Sequence, residues 1–259
     1  MSIAAEFRTS GKKIIAIGRN YAAHIAELNN CHSCSNLAFD PTFEPTRRLC
    51  LRRIRPASDS TTPTEPFFFL KPTTSYNADK EPVEVPRGVK VHHEVELGVV
   101  IGKGGRDIPS ASAMQHVAGY TLAIDYTGRN MQDAVKKKGL PWSAAKGMDT
   151  WCPVSRFISK DEVKDPHQLR LWYKVNGETR QDGPTSLMLY KIDRLIEHCS
   201  SIMRLEEGDL ILTGTPKGVS QVVEGDQIEA GLQQDETVLA SLSHRMIRRE
   251  GGYEFKSAA

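Results

Sequence analysis

Short apolar runs, each about the length of a β-strand and bounded by glycine or proline, recur along most of this chain. Such runs are typical of strands, and two of them cover residues 92–101 and 119–127. Asn176-Gly177 lies between two further extended runs, which predicts a β-hairpin. Helical spacing of apolar residues is clearest over 192–203, where it indicates core packing. The pattern therefore predicts a strand-rich α+β fold with short flanking helices.

Charge and length disfavour several classes of protein. The 259 residues include 34 lysines and arginines against 32 aspartates and glutamates, a formal net charge of +2. This balance argues against a nucleic-acid partner. No stretch approaches the roughly 18 apolar residues of a membrane helix. We therefore expect one main domain over residues 1–259 that binds neither nucleic acid nor membrane.

The N-terminal residues and the cysteines indicate an intracellular protein. Residues 1–13 lack the basic start and the apolar core of a secretory signal. The chain has five cysteines, and an odd number favours reduced thiols over a disulfide framework. We therefore expect a location in the mitochondrial matrix or the cytoplasm, and not secretion.

The segment HHEVELGVVIG contains the first candidate site. Alternate side chains of a strand share a face, so His92, Glu94 and Glu96 would project together, with Val95 and Leu97 on the opposite face. Two neighbouring carboxylates repel each other, and a divalent cation would resolve that repulsion. Ligands that are all oxygen favour Mg²⁺, Ca²⁺ or Mn²⁺ over zinc. The ordinary alternative is the polar side of a half-exposed strand.

Asp125 makes the cation more plausible than the Glu-x-Glu pattern alone does. It lies in GYTLAIDYT, a run that is apolar at both strand parities, where an unpaired carboxylate would cost several kcal/mol. A salt bridge to Arg129 would compensate it, and so would a place as third ligand of the same cation. Three acidic groups with water suit an octahedral Mg²⁺ that keeps positions open for substrate oxygens.

Other polar candidates each have two interpretations. His24 and Glu27, three residues apart on a predicted helix, are either a general base with its orienting carboxylate or a surface pair. Lys146 is either a donor to a developing oxyanion or a solvated loop lysine. The turn at 214–218 has amides and a Thr215 hydroxyl that suit a carboxylate. It lacks the full phosphate-loop pattern, which argues against nucleotide binding.

The order and spacing of seven segments resemble the fumarylacetoacetate hydrolase family, in particular its acylpyruvase and oxaloacetate decarboxylase branch. The resemblance covers nearly the whole chain except roughly residues 30–64. The segments that carry it are RNYAAHIAEL, FFFLKP, HHEVELGVVIG, GYTLAIDYTGRNMQ, KGLPWSAAKGMD, VNGETRQDG and LEEGDLILTGTPKGV.

The resemblance implies a mixed β-roll with a lid helix, a single catalytic domain and a homodimer. It implies Mg²⁺ or Mn²⁺ held by Glu94, Glu96 and Asp125. The dyad that activates water would be His24 and Glu27 on the lid helix, and Lys146 would polarise the substrate. The positions that match substrate-contacting residues of the family are Arg129, Gln132 and Thr215.

The implied activity is metal-dependent cleavage of the C3–C4 bond of 2,4-dioxo acids or of oxaloacetate. A small 2-oxo acid would chelate the cation through its C1 carboxylate and C2 carbonyl, and cleavage would leave a metal-bound pyruvate enolate. Proton movement at C3 without cleavage would make the same site an oxaloacetate keto-enol tautomerase. A catalytically impaired dimer that serves as a binding module is the alternative from a different class.

Residues 30–64 depart from the family pattern. We therefore predict that they are a disordered or lineage-specific insertion after the lid helix. The segment has no sustained hydrophobic period. An untranslated intron that is carried into the gene model as coding sequence would also explain its composition. A zinc site lacks a second half of its ligand pattern. The arginine run at 47–55 reads more simply as a solvated or anion-attracting loop. The disfavoured zinc ligands are Cys31, His32, Cys34 and Cys50.

Overall fold

The computed structural model of the chain describes residues 3–30 and 63–256. Most of the predicted insertion lies outside the described residues, so its nature stays a prediction. The same holds for its disfavoured zinc ligands, Cys31, His32, Cys34 and Cys50.

Most of the strands are short, as the sequence predicts, although the last one has 12 residues. In chain order they are β1 (Ile14–Gly18), β2 (Phe67–Lys71), β3 (Tyr76–Asn77), β4 (Val83–Val85), β5 (Val91–His92), β6 (Val95–Ile101), β7 (Val117–Ile124), β8 (Thr127–Gly128), β9 (Cys152–Pro153), β10 (Ile158–Ser159), β11 (Arg170–Val175), β12 (Glu178–Pro184), β13 (Leu210–Leu212), β14 (Gln221–Val222), β15 (Gln227–Gln234) and β16 (Thr237–Arg248). The α-helices are α1 (Phe7–Ser10), α2 (Ala22–Asn30), α3 (Ser110–Ala113), α4 (Arg129–Lys137), α5 (Ser143–Lys146) and α6 (Ile192–Ile202).

A mixed six-stranded sheet, in the order β10-β7-β6-β13-β1-β2, lies at the centre of the fold. Only β1 and β13 pair in parallel among its neighbouring strands. Every residue of β6 is buried, because apolar clusters cover both faces of the sheet. Leu97 and Val99 pack into the larger cluster, and Val100 packs into the second. A half-exposed strand, the ordinary alternative for this segment, is therefore wrong.

The segment 92–101 is not one continuous strand. β5 ends at His92 and pairs with β14 and β8 in a separate three-stranded sheet, whereas β6 begins at Val95 in the central sheet. The expectation that His92 extends the same strand face as Glu94 and Glu96 is therefore wrong, because the chain changes sheets between the two strands.

The predicted hairpin joins β11 and β12 in a five-stranded sheet ordered β12-β11-β15-β16-β4. Asn176 and Gly177 have positive φ angles of 51° and 82°. A two-residue type I′ turn requires positive φ at both positions, and its twist matches that of the flanking strands. The hairpin prediction is confirmed.

Both predicted helical segments form helices, α2 and α6. In α6 the side chains of Ile192, Leu195, Ile196 and Cys199 are buried, whereas Ile202 in the last turn is 58% exposed. The predicted apolar stripe therefore packs against the core over all but its end. Within residues 3–30 and 63–256, none of the helices is long and apolar enough to cross a membrane.

Candidate active site

Three buried carboxylates meet where β6 and β7 lie side by side. Glu94 directly precedes β6, Glu96 is its second residue, and Asp125 directly follows β7. The backbone N–H of Asp125 donates to the carbonyl oxygen of Glu94 over 2.8 Å. One oxygen from each carboxylate lies within 4.8 Å of the others. The structure thus brings together the three acids that the sequence analysis singled out.

Two lysines, and not Arg129, compensate the charge of Asp125. Lys71 Nζ lies 2.8 Å from Asp125 Oδ1, and Lys146 Nζ lies 2.6 Å from Oδ2. Arg129 Nη2 lies 2.5 Å from Glu94 Oε1 instead. The expected Asp125–Arg129 salt bridge is therefore wrong. The chain between the two residues passes through β8 before α4 begins at Arg129, which places the guanidinium beside the other acid.

Lys146 is the last residue of α5 and is 1% exposed, so the interpretation as a solvated loop lysine is wrong. Its Nζ donates to Glu94 over 2.8 Å and to Asp125 over 2.6 Å, and it lies 4.8 Å from the centre of the Phe69 ring. An ammonium group has three N–H donors. Two of them bind the acids, which leaves the third for an oxygen of a ligand in the pocket.

Lys71 is a second buried lysine that the sequence analysis missed. It ends β2, is 1% exposed, and donates to the backbone carbonyl of Lys146 as well as to Asp125. A lysine that closes the apolar run FFFL was the available signal, because a buried lysine requires an anionic partner. Lys71 therefore connects the acid cluster with α5.

The three acids differ in how well their charges are compensated. Burial raises the pKa of Glu94, but Lys146 and Arg129 outweigh burial and hold that pKa well below its usual range. Burial and the neighbouring charges of Asp125 and Glu94 raise the pKa of Glu96 well above its usual range. The Glu96 carboxylate accepts a hydrogen bond from the backbone N–H of Gly214 at 2.6 Å. Glu96 is thus the acid of the cluster whose charge most needs a further cation.

The cluster fits a divalent metal ion. The Tyr21 hydroxyl is buried without a hydrogen-bond partner among the described residues, and burial together with the charge of Glu96 raises its pKa. An unpaired hydroxyl beside an under-compensated carboxylate suits a hydrated cation. The three candidate ligands offer only carboxylate oxygens, which suits hard cations such as Mg²⁺ and Mn²⁺.

His24 and Glu27 lie one helical turn apart on α2, with His24 Nδ1 3.6 Å from Glu27 Oε2. His24 is 5% exposed, and its Nδ1 has no hydrogen-bond partner among the described residues. The interpretation as a surface pair is therefore wrong for His24. Burial raises the pKa of Glu27, but His24 and the backbone N–H of Gly218 outweigh burial and lower it. The ionised Glu27 favours the tautomer with hydrogen on Nδ1, which leaves Nε2 free to accept a proton.

The turn at 214–218 binds carboxylates of the protein itself. Gly214 N–H donates to Glu96 over 2.6 Å, and Gly218 N–H donates to the two oxygens of Glu27 over 2.9 and 3.0 Å. The Thr215 hydroxyl donates to a backbone carbonyl of β6 over 2.8 Å. The turn thereby connects the acid cluster with the helix that carries the histidine.

Gln181 is a second buried side chain that the sequence analysis missed. Its Oε1 accepts from Val95 N–H over 3.0 Å and lies 2.8 Å from His93 Nδ1. Its Nε2 donates to the Thr215 hydroxyl over 2.8 Å and to the Pro216 carbonyl over 2.7 Å. The whole hydrogen-bonding capacity of this amide is used to hold the turn against β6. No sequence pattern indicated it, because the flanking residues of β12 are exposed.

One pocket is lined by all of the predicted site residues except Glu27 and Asp125. Gln132, which the resemblance alone assigned, accepts from Arg129 Nη1 over 2.6 Å at the wall of this pocket. Arg19 and Lys136, which the sequence analysis missed, line the same pocket. The residues that line it are Ile17, Gly18, Arg19, His24, Phe69, Glu94, Glu96, Arg129, Gln132, Lys136, Trp142, Lys146 and Thr215.

Known proteins are similar to this chain in sequence. The fumarylacetoacetate hydrolase C-terminal family matches residues 13–246. A mitochondrial oxaloacetate tautomerase of Rattus norvegicus is 48% identical over 223 residues, which cover 86% of this chain and 87% of that protein. A mitochondrial oxaloacetate decarboxylase of Dictyostelium discoideum is 46% identical over 229 residues, which cover 88% of this chain and 91% of that protein.

The fold is also similar to that of solved structures. A yeast fumarylacetoacetate hydrolase family protein superposes with a TM-score of 0.79 at 34% identity, covering 98% of this chain and 100% of that chain. The similarity confirms the predicted strand-rich α+β fold class.

Proposed function

Because this chain belongs to the fumarylacetoacetate hydrolase family, as its sequence motifs predicted, we propose that it is a metal-dependent enzyme that acts on oxaloacetate at C3. The names of the rat and Dictyostelium relatives support this substrate. The observation that carries the proposal is a pocket lined by a histidine base, a buried lysine and two carboxylates that form one cluster with a third, Asp125. We propose keto-enol tautomerisation as the main reaction, because the rat relative has that name.

The residues that would hold Mg²⁺ or Mn²⁺ are Glu94, Glu96 and Asp125. When bound, the cation would draw electrons from the C1 carboxylate and C2 carbonyl of a 2-oxo acid, which acidifies C3. Lys146 supports the same polarisation from the protein side, because its third N–H is available to the C2 oxygen as negative charge develops there. The substrate-binding roles of Arg129, Gln132 and Thr215 are part of this proposal.

The proton movement is assigned to the histidine. His24 Nε2 accepts a proton from C3, and Glu27 stabilises the imidazolium that results. The imidazolium then gives this proton to the C2 oxygen, which completes the keto-to-enol conversion and regenerates the base, and the reverse sequence regenerates the ketone. Because one base serves both directions, the enzyme accelerates the approach to equilibrium between ketone and enol. No carbon–carbon bond breaks, so no carbon fragment is released.

Cleavage of the C3–C4 bond is the second candidate reaction, and the name of the Dictyostelium relative supports it. Decarboxylation of oxaloacetate releases C4 as CO₂ and leaves pyruvate enolate. This loss of CO₂ needs no general base. Hydrolysis of an acylpyruvate differs, because His24 must take a proton from the water that attacks the C4 ketone. Both reactions require the same stabilisation of negative charge at the C2 oxygen.

We further propose that the chain forms a homodimer in the mitochondrial matrix. The names of the rat and Dictyostelium relatives include the word mitochondrial, which supports the organelle. The edge strand β2 supports self-association, since its Phe67 and Leu70 side chains are 39% and 45% exposed. Light scattering of the purified chain and imaging of a tagged full-length chain test these two points.

One assay series tests the reaction. The purified chain is given oxaloacetate and then acetylpyruvate with Mg²⁺, and then each again with a chelator. We expect the Mg²⁺-loaded chain to accelerate the decay of the oxaloacetate enol absorbance over the rate without enzyme. Pyruvate should form more slowly than this absorbance decays. Pyruvate formation that matches enol loss would make decarboxylation the main reaction. If the Mg²⁺-loaded chain accelerates neither process, the remaining candidate is a catalytically impaired dimer that serves as a binding module.

A further inference from the structure

The outer wall of the pocket is formed by Arg19, His24 and Lys136. Two of these residues, Arg19 and Lys136, carry positive charge that the proposed chemistry does not use. Arg19 follows β1 directly and has a positive φ of 59°. The next residue, Asn20, is fixed by side-chain hydrogen bonds to backbone carbonyls of Thr213 and Tyr190 over 2.8 and 3.1 Å. The Arg19 side chain is exposed and lines the pocket.

Lys136 approaches the same pocket from α4. Its Nζ lies 5.0 Å from the centre of the Trp142 ring, and its side chain is half-buried. An aromatic ring attracts a cation but does not neutralise it. Neither Arg19 nor Lys136 forms an ion pair with any residue in the part of the chain that the structure describes.

The pocket acids do not supply the missing counter-charge. Glu94 binds Arg129 and Lys146, and Asp125 is likewise bound by buried lysines. Burial and the charges of Arg129 and Arg19 lower the pKa of Lys136, and they outweigh the charges of Asp133 and Glu94, which raise it. The positive groups of the outer wall thus repel one another, and an anion between them would relieve that repulsion.

We propose that Arg19 and Lys136 form a cationic subsite for the second carboxylate of a dicarboxylic 2-oxo acid. The inference rests on the proposed function, because the acid cluster takes the 2-oxo acid end of the same molecule. It names the substrate class: dicarboxylates such as oxaloacetate are preferred to acylpyruvates, whose C4 substituent is neutral.

The subsite also favours tautomerisation over decarboxylation. The C4 carboxylate loses its charge when it leaves as CO₂, so cations that bind it stabilise the ground state more than the transition state of cleavage. Proton transfer at C3 keeps that charge in place. Weakening the subsite therefore raises the ratio of decarboxylation to tautomerisation at saturating oxaloacetate.

A matched pair of probes tests the subsite without turnover. 2-Oxoglutarate and 2-oxopentanoate have the same chain length and differ in whether C5 is a carboxylate or a methyl group. Calorimetry with Mg²⁺ measures the affinity of the full chain for each probe. We expect the wild type to prefer 2-oxoglutarate, and Lys136→Gln to weaken its binding about 10-fold, as expected for loss of a charged hydrogen bond.

Arg19→Gln should have a smaller effect of about 3-fold, because an exposed charge is screened by water. Lys136→Arg should restore most of the affinity. Lys137→Gln removes the same charge from an exposed position of α4 and should change the affinity for neither probe. Binding of 2-oxopentanoate should stay within about 2-fold of the wild type in all variants.

Two outcomes would overturn the subsite: a wild type that does not prefer 2-oxoglutarate, or a loss in Lys136→Gln that is equal for both probes. Failure of the proposed function has a different signature. If the probes are discriminated as expected while oxaloacetate is not turned over, the reaction is wrong and the subsite stands. If oxaloacetate is turned over with unchanged KM in the Arg19→Gln, Lys136→Gln double variant, the subsite is wrong and the reaction stands.

Discussion

The inner and outer walls of the pocket are built in opposite ways. We use the term inner wall for Glu94, Glu96 and Lys146, which line the pocket, together with Asp125 and Lys71 of the same buried cluster. Each is buried, and each charged side chain is bonded to at least one other group of the protein. The outer wall lies on α2, on α4 and on the turn after β1. In this wall, the His24 Nδ1 atom has no hydrogen-bond partner, and Arg19 and Lys136 have no ion-pair partner, among the residues that the structure describes.

The difference separates the chemistry from the selection of the substrate. Charged groups that are held by buried hydrogen bonds keep their positions when a ligand arrives, which is what stabilisation of a developing charge requires. Groups with unused hydrogen-bonding capacity adapt to different ligands. We therefore expect changes in the inner wall to affect every reaction, and changes in the outer wall to affect particular reactions or substrates.

The largest expected effect is that of Glu96→Gln. The variant keeps the shape of the side chain and removes a carboxylate that forms no ion pair among the described residues, so turnover of oxaloacetate and of acetylpyruvate should fall at least about 10³-fold. Mn²⁺ binding, measured by calorimetry, should weaken in parallel. The metal-free fold should be as stable as the wild type or more so, because repulsion among three carboxylates is reduced.

Glu236→Gln, an exposed acid outside the pocket, serves as the control and should retain full activity. Wild-type turnover in Glu96→Gln, or turnover that persists after the metal is removed by a chelator, would show that the acid cluster is not the catalytic centre.

His24→Ala tests whether the outer wall acts on particular reactions. Acetylpyruvate hydrolysis and oxaloacetate tautomerisation should fall about 10²- to 10⁴-fold, the usual contribution of a general base. Decarboxylation of oxaloacetate should fall less, because loss of CO₂ needs no proton acceptor. Equal losses in all three rates would mean that His24 positions the substrate or the fold instead of moving a proton.

The inner wall was more predictable from sequence than the outer wall, for a physical reason. Glu94, Glu96 and Asp125 are acids in otherwise apolar runs, and a buried charge requires a partner whatever the fold. The identity of that partner was not predictable. Arg129 was the nearest cation to Asp125 in sequence, but sheet pairing places lysines from β2 and α5 there instead.

The two cations of the outer wall depend on tertiary positions that no local pattern encodes, whereas His24 was a candidate from its spacing on the predicted helix. Arg19 and Lys136 are ordinary charged residues of a turn and a helix, and only the tertiary fold brings them to one pocket. Among the fold elements, the hairpin at Asn176-Gly177 was predictable because a two-residue turn is specified locally. The break between His92 and Val95 was not, since both halves have strand character and only the two sheets separate them.

Lys71→Met tests whether the inner wall is held together by its buried lysines. Loss of one partner of a buried ion pair typically costs about 3–5 kcal/mol, and we expect the lower end because Lys146 still binds Asp125. The free energy of unfolding of the metal-free chain, measured in urea, should fall by that amount. Added Mg²⁺ should reduce the deficit, because it supplies the missing positive charge.

The matched control is Lys164→Met, which removes an exposed lysine paired with Asp235 and should leave stability nearly unchanged. A Lys71→Met deficit that Mg²⁺ does not reduce would show that the lysine stabilises the fold without contributing to the charge balance of the acid cluster.

The smallest expected effect concerns the layer behind the inner wall. Tyr126, which follows Asp125, has its hydroxyl 2.7 Å from His244 Nε2 and 2.9 Å from the Tyr173 hydroxyl. Burial lowers the pKa of His244 to about 4, against about 6.5 in an unfolded chain. Between these two values the unfolded state binds more protons than the folded state, so acid favours unfolding.

The contribution of His244 to stability is therefore complete above pH 6.5 and is lost as the pH falls toward 4, by about 3 kcal/mol in total. His244→Gln removes this titration. His92 and His93 also have pKa values lowered to about 4 by burial, so only the difference between wild type and variant is informative. The free energy of unfolding of the wild type minus that of the variant, measured in urea at several pH values, should fall as the pH is lowered from 6.5 to 4. A difference that stays constant over this range would mean that His244 is already protonated in the folded protein, and that the inner wall rests on a charged layer instead of a neutral one.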